Sequence, residues 1–289
     1  MTKTFTGTGV AIATPMLADY SIDYSGFSRL IEHVISGGVD YIVLLGTTGE
    51  APTINWSETR ALLDYSVEKI NGQVPLVLGL GGNDTQGLIA KLKELDGVPI
   101  QAVLSASPYY SKPTQEGIFR HYTALADVSA FPLMIYNVPH RTSSNVLAET
   151  TLRLSEHTNI IGVKEASGDL LQCSLIARDK PSGFLLLSGD DLLTLPILSL
   201  GGEGVISVIA NAYPKEFTTM VNSALDGNFA IASTNHAALL QRGILAGREG
   251  NPSSIKAALE ALGICDRHVR LPLAPASDSL VAEFKKSNN

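Results

Sequence analysis

The chain has 289 residues, 45% of them hydrophobic and 17% charged, so it can bury a large core and is not globally disordered. Its formal net charge of −7 argues against nucleic acid or an anionic membrane surface as a partner. Its two cysteines, Cys173 and Cys265, suggest neither a metal site nor a disulfide framework.

In chain order, short apolar runs fall at Gly9–Met16, Val39–Gly46, Pro75–Gly82, Ile100–Ser107, Phe131–Pro139, Ile160–Ala166, Phe184–Asp190 and Gly204–Val208. Near-continuous apolarity marks strands of a parallel sheet covered on both faces. Between the runs the pattern turns helical. Phe27, Leu30, Ile31, Val34 and Ile35 form one apolar face. Asn55 and Glu58 have capping-box spacing ahead of Leu62, Leu63 and Val67. Leu88, Leu92 and Leu95 repeat at helical spacing. Eight such alternations predict a (β/α)8 TIM barrel over residues 1–225, since a doubly wound open sheet usually carries fewer strands. Residues 226–289 read as a C-terminal α-helical extension, with helices over Phe229–Leu245 and around Ile255, Ala258, Leu259 and Leu262.

Active sites of such barrels gather at the C-terminal ends of the strands. Lys164 lies at one of these ends, within the apolar segment from Ile160 to Ala166. An amine there loses hydration, which favours the neutral form that attacks carbonyl carbon and forms a Schiff base. The plainer reading is a snorkelling lysine with a hydrated ammonium. Strand alternation puts Lys164 and Gly162 on one face, with Val163 and Glu165 on the other.

Tyr136, at the end of the run from Pro132 to Pro139, can face inward beside Met134 and move protons, or simply pack. The segment Gly46–Glu50, with Thr47 and Thr48 between two glycines, offers backbone N–H groups to a carboxylate, or is an ordinary turn. Arg141 has a planar fork suited to a second carboxylate, or is a surface arginine. Tyr109 and Tyr110 sit in a Pro-bounded loop that can reach across an interface.

Other chemistries lack their motifs. The glycines at 79, 81 and 82 do not complete a G-x-G-x-x-G fingerprint, and no P-loop occurs. The six histidines show neither H-x-H nor HExxH spacing, so no metal site is expected. Asp190 and Asp191 read better as a helix N-cap than as a cation site. No apolar run approaches the ~20 residues of a membrane span. The first residues carry no apolar signal core, and a cytoplasmic protein is expected.

Together, Gly46–Glu50, Ser107–Tyr110, Tyr136–Pro139 with Arg141, and Gly162–Glu165 resemble the dihydrodipicolinate (4-hydroxy-tetrahydrodipicolinate) synthase family of Schiff-base-forming pyruvate aldolases and lyases. Gly204–Ser207, Asn251–Pro252 with Lys256–Leu259, and Arg270–Leu273 extend the resemblance over essentially the whole chain. It implies a lyase that condenses pyruvate, bound on Lys164, with L-aspartate-4-semialdehyde, in the diaminopimelate and lysine pathway. In that reading Tyr136 is proton donor and acceptor. Thr47 and Tyr110 complete its relay, with Tyr110 lent across a tight-dimer interface of a homotetramer. Thr48 holds the pyruvate carboxylate, Arg141 receives the semialdehyde carboxylate, and Ile206 offers its backbone carbonyl. No cofactor is implied. N-acetylneuraminate lyase and 2-keto-3-deoxy sugar acid aldolases, similar over the same barrel, are the alternative.

The sequence departs from the family pattern at two places. Ser143 stands where a glycine often follows the Arg-Thr pair. Thr59 and Gly87 occupy the positions of a histidine and a glutamate in lysine-inhibited relatives, and Trp56 and Ala51 replace usual polar residues, while Asn83 and Tyr109 remain. A buried lysine ligand needs its ammonium paired, which Gly87 cannot do, so weak or absent inhibition by lysine is expected.

Overall fold

A computed structural model describes residues 2–287, and its eight strands pair in chain order into one closed parallel barrel. The strands are β1 (Gly7–Ala11), β2 (Tyr41–Leu44), β3 (Leu76–Gly79), β4 (Ala102–Ala106), β5 (Leu133–Asn137), β6 (Ile160–Glu165), β7 (Leu185–Ser188) and β8 (Gly204–Ser207). The apolar runs overshoot most strands at their C-terminal ends. The first run is the extreme case: β1 stops at Ala11, yet Ile12, Ala13, Thr14 and Met16 stay fully buried as the chain folds over the barrel mouth. Burial, which creates apolarity, outlasts strand geometry there.

The helices of the barrel are α1 (Tyr24–Ser36), α2 (Trp56–Ile70), α3 (Thr85–Glu94), α4 (Gln115–Val128), the short α5 (Pro139–Thr142), α6 (Ala148–Ser155), α7 (Leu170–Asp179), α8 (Thr194–Ser199) and α9 (Pro214–Leu225). Asn55 and Glu58 form a complete capping box on α2, and Asp190 caps the turn at Asp191–Leu193 by accepting from Leu192 and Leu193.

Alternation along each strand sorts two apolar clusters. Val43, Val77, Leu104, Met134, Leu187 and Ile206 fill the barrel interior. Their neighbours Ile42, Leu44, Val103, Ile135, Val163 and Leu186 pack outward against the helices. Beyond α9 come α10 (Phe229–Arg248), α11 (Ser253–Ala261) and α12 (Asp278–Ser287). Helix α10 lies along α9, and α11 packs on α12 and on the turn that follows β8. The extension thereby reaches the end of the barrel where the strands finish.

Among the described residues no helix is long and apolar enough to cross a membrane, and no group of three or more His, Cys, Asp or Glu is placed to hold a metal ion.

Candidate active site

The parallel register sets Tyr136 of β5 directly beside Lys164 of β6. Both face the interior, and the Lys164 Nζ lies 4.3 Å from the Tyr136 ring centroid. Lys164 is 4% exposed and Tyr136 8%. Gly162 leaves no open space beneath the lysine. A Cβ there would come within 2.8 Å of Leu185 Cβ and of its carbonyl oxygen, so its missing side chain admits strand β7 instead. Room for the lysine comes from Gly189, where a Cβ would stand 3.0 Å from Lys164 Cγ and 3.1 Å from Cε.

The next residues on the two strands, Asn137 and Glu165, point outward and lock them together. Glu165 is 1% exposed and accepts from Asn137 Nδ2 at 2.9 Å, Gln172 Nε2 at 2.9 Å and Ser167 N at 2.7 Å. Asn137 Oδ1 in turn accepts from Val146 N at 2.9 Å. A buried carboxylate is tolerated only when its oxygens are filled in this way. The consequence is that the strand ends carrying Tyr136 and Lys164 cannot shift independently.

Above Tyr136 opens a cavity of about 570 Å³, lined by Thr47, Tyr109, Tyr136, Arg141 and Asn251 among others. Arg141, on α5, is exposed apart from a bond from its guanidinium to the Asn251 carbonyl at 3.3 Å. Ser143 ends α5 at φ 55°, in the left-handed region, which explains why glycine suits this position. Thr48 is buried beside the cavity and accepts at its hydroxyl from Asn251 Nδ2 at 3.1 Å. Ile206 lies in the interior at 1% exposure. Tyr110 does not enter the cavity of its own chain; it is 89% exposed, at φ 69°.

The profile of the dihydrodipicolinate synthetase family matches residues 4–288. The chain belongs to this family. A relative from Cytophaga hutchinsonii, a 4-hydroxy-tetrahydrodipicolinate synthase, is 46% identical over 285 residues, which cover 99% of this chain and 96% of the relative. The structure of the chloride-inhibited dihydrodipicolinate synthase of Acinetobacter baumannii complexed with pyruvate has a TM-score of 0.95 at 34% identity, covering 98% of both chains. That of the Cyanidioschyzon merolae enzyme with lysine bound has a TM-score of 0.94 at 36% identity, covering 98% of this chain and 97% of that one.

Within this family frame, the geometry brings Lys164, Tyr136, Thr47 and Arg141 to one end of the barrel, with Thr48 and Ile206 buried beside them. It also shows groups that residue-by-residue reading overlooked. Lys256 of α11 is fully buried and pairs with Glu50, at the end of the 46–50 loop. Arg270 donates its backbone N–H to Glu50 at 2.9 Å and forks its side chain onto Glu58 at 2.6 and 2.8 Å. Burial pushes the Lys256 amine below its ordinary value, and the Glu50 carboxylate opposes that shift. The available signal was a lysine between Ile255 and Ala257, the same anomaly that marks Lys164.

Proposed function

We propose that this enzyme condenses pyruvate with L-aspartate-4-semialdehyde to give 4-hydroxy-tetrahydrodipicolinate. The observation that carries the reading is a buried lysine in contact with a tyrosine beneath a cavity whose rim bears an arginine. The Lys164 amine attacks the keto carbon of pyruvate and water leaves, giving an imine. Tyr136 takes a methyl proton through a relay with Thr47 and Tyr110, and the resulting enamine carbon attacks the aldehyde. The substrate's own amine then displaces Lys164 and closes the ring. Thr48 and its neighbouring backbone N–H groups receive the pyruvate carboxylate, the Ile206 carbonyl lies beside it, and Arg141 receives the second carboxylate.

Tyr110 supports an assembly. A tyrosine held at φ 69° and left 89% exposed is costly for a lone chain. Lent to a neighbour's relay, it has a role, so the working form is a tight dimer, paired again into a cytoplasmic homotetramer. Lysine inhibits this enzyme weakly or not at all. Thr59 is buried, Gly87 carries no charge, and Trp56 Nε1 donates to Glu94 at 2.5 Å. Lys91 stands 5.6 Å from the Trp56 ring and lines the cavity, where a second ammonium is unwelcome.

Steady-state assays with pyruvate and aspartate semialdehyde, with and without millimolar lysine, test both statements. Turnover that lysine leaves nearly unchanged is expected. Cleavage of N-acetylneuraminate without condensation of the semialdehyde would move the chain to the sugar-acid lyases, and strong suppression by lysine would refute the regulatory reading.

A further inference from the structure

The loop Gly46–Glu50 is held in an unfavourable backbone conformation at both ends. Leu45 and Glu50 each sit at φ 57°, a left-handed region that side chains such as these rarely occupy. Strain of this kind persists only where the surroundings over-determine it. At the Glu50 end the surroundings come from the C-terminal extension. The Glu50 carboxylate, 2% exposed, takes the Lys256 ammonium on one oxygen and the Arg270 backbone N–H on the other at 2.9 Å. Lys256 spends a further donor on the His268 carbonyl at 2.7 Å, and both side chains of the pair are 0% exposed. Asn251, from the same extension, reaches Thr48 two residues earlier in the loop. On the opposite side Thr14 Oγ1 donates to the Gly49 carbonyl at 2.8 Å.

Stability is a poor explanation for a fully buried ion pair, because well-packed apolar residues of similar volume often do as well or better. Direction is what such a pair supplies. Bonds to both carboxylate oxygens fix Glu50 in its left-handed state and, through the tight turn at Gly49, fix the N–H groups and hydroxyls of Thr47 and Thr48. The lysine also cancels a carboxylate charge that would otherwise stand behind a loop assigned to hold another carboxylate.

We propose that the Glu50–Lys256 pair is a positioning device for the carboxylate-holding loop, through which the C-terminal extension sets the enzyme's preference for a carbonyl substrate that bears a carboxylate. The proposal rests on the reading that Lys164 forms the imine and the Thr48 loop receives the pyruvate carboxylate. The pair touches neither substrate nor reacting atoms, so its effect is selective: imine formation with pyruvate depends on it, and imine formation with a carbonyl that lacks a carboxylate does not.

The test compares initial rates of borohydride-trapped adduct at Lys164, read by peptide mass, for pyruvate and for acetaldehyde. Wild type, Lys256→Met and the charge-free pair Glu50→Gln with Lys256→Met are assayed as full-length protein, with thermal midpoints recorded. Lys256→Met should lower the midpoint, because it strands a buried carboxylate, and the double variant should regain most of it. Both variants should trap pyruvate about 10- to 100-fold more slowly while acetaldehyde trapping stays within a factor of about two. Pyruvate trapping at the wild-type rate in the double variant, or an equal fall for both carbonyls, would overturn the positioning role. Absence of a pyruvate adduct in wild type would overturn the Schiff-base reading and this proposal with it.

Discussion

Lys164 and Lys256 are both buried, at 4% and 0% exposure, but their surroundings differ. Lys256 meets a carboxylate and a carbonyl, which take two of the three donors of its ammonium. Lys164 meets the aromatic face of Tyr136, which itself lines the cavity. The neutral form of an amine is the one that attacks carbonyl carbon. Sequence shows the anomaly at both positions, since both lysines interrupt apolar stretches. It cannot tell them apart, because the partner of Lys256 lies 206 positions away at Glu50. Tyr136 differs again. Its parity was readable from Met134, but its contact with Lys164 depends on the register between two strands, which sequence alone leaves open. As the proposed proton carrier, it makes a sharp prediction. Tyr136→Phe should lower turnover about 10²- to 10⁴-fold, measured as kcat with both substrates, with the circular dichroism spectrum unchanged. Turnover within a factor of about three of wild type would remove it from the relay.

At the scale of elements, the eight strands were legible because a strand buried on both faces has to be apolar throughout. Their ends were less legible, because loops over the barrel mouth are as buried as the strands they follow, as the segment after Ala11 shows. The packing of helix on helix was not legible at all. His121 of α4 illustrates this: it is 5% exposed, with Nδ1 2.8 Å from Thr85 Oγ1 of α3, and its Nε2 has no hydrogen-bond partner among the described residues. Burial pushes its pKa down to about 4. The folded state therefore holds the neutral ring while the unfolded chain, near 6.5, takes up a proton more readily. Its contribution to stability is present above about pH 6.5 and is lost as pH falls toward 4, by on the order of 3 kcal/mol in all. Urea unfolding at pH 7 and pH 4 should show His121→Gln losing less stability over this interval than wild type by about that amount. Equal losses would mean that the ring is not held neutral.

At the scale of the whole molecule, the C-terminal extension helps line the cavity at the mouth of the barrel. Asn251, Lys256 and Arg270 reach from it to Thr48, Glu50 and Glu58 near the mouth of the barrel. The end of the strand pattern near residue 225 was readable, but the contacts between the barrel and the helices that follow were not, because they span some two hundred positions. The two cysteines belong to this scale as well. Cys173 and Cys265 are buried, and burial pushes each thiol up to about 12, so neither competes with the lysine as a nucleophile near neutral pH. The central claim is that one lysine in the chain carries pyruvate as an imine. Borohydride reduction in the presence of pyruvate, followed by peptide mapping, measures this directly. The account predicts a single adduct, on the peptide containing Lys164, and none in Lys164→Ala. An adduct elsewhere, no adduct at all, or full turnover in Lys164→Ala would contradict it.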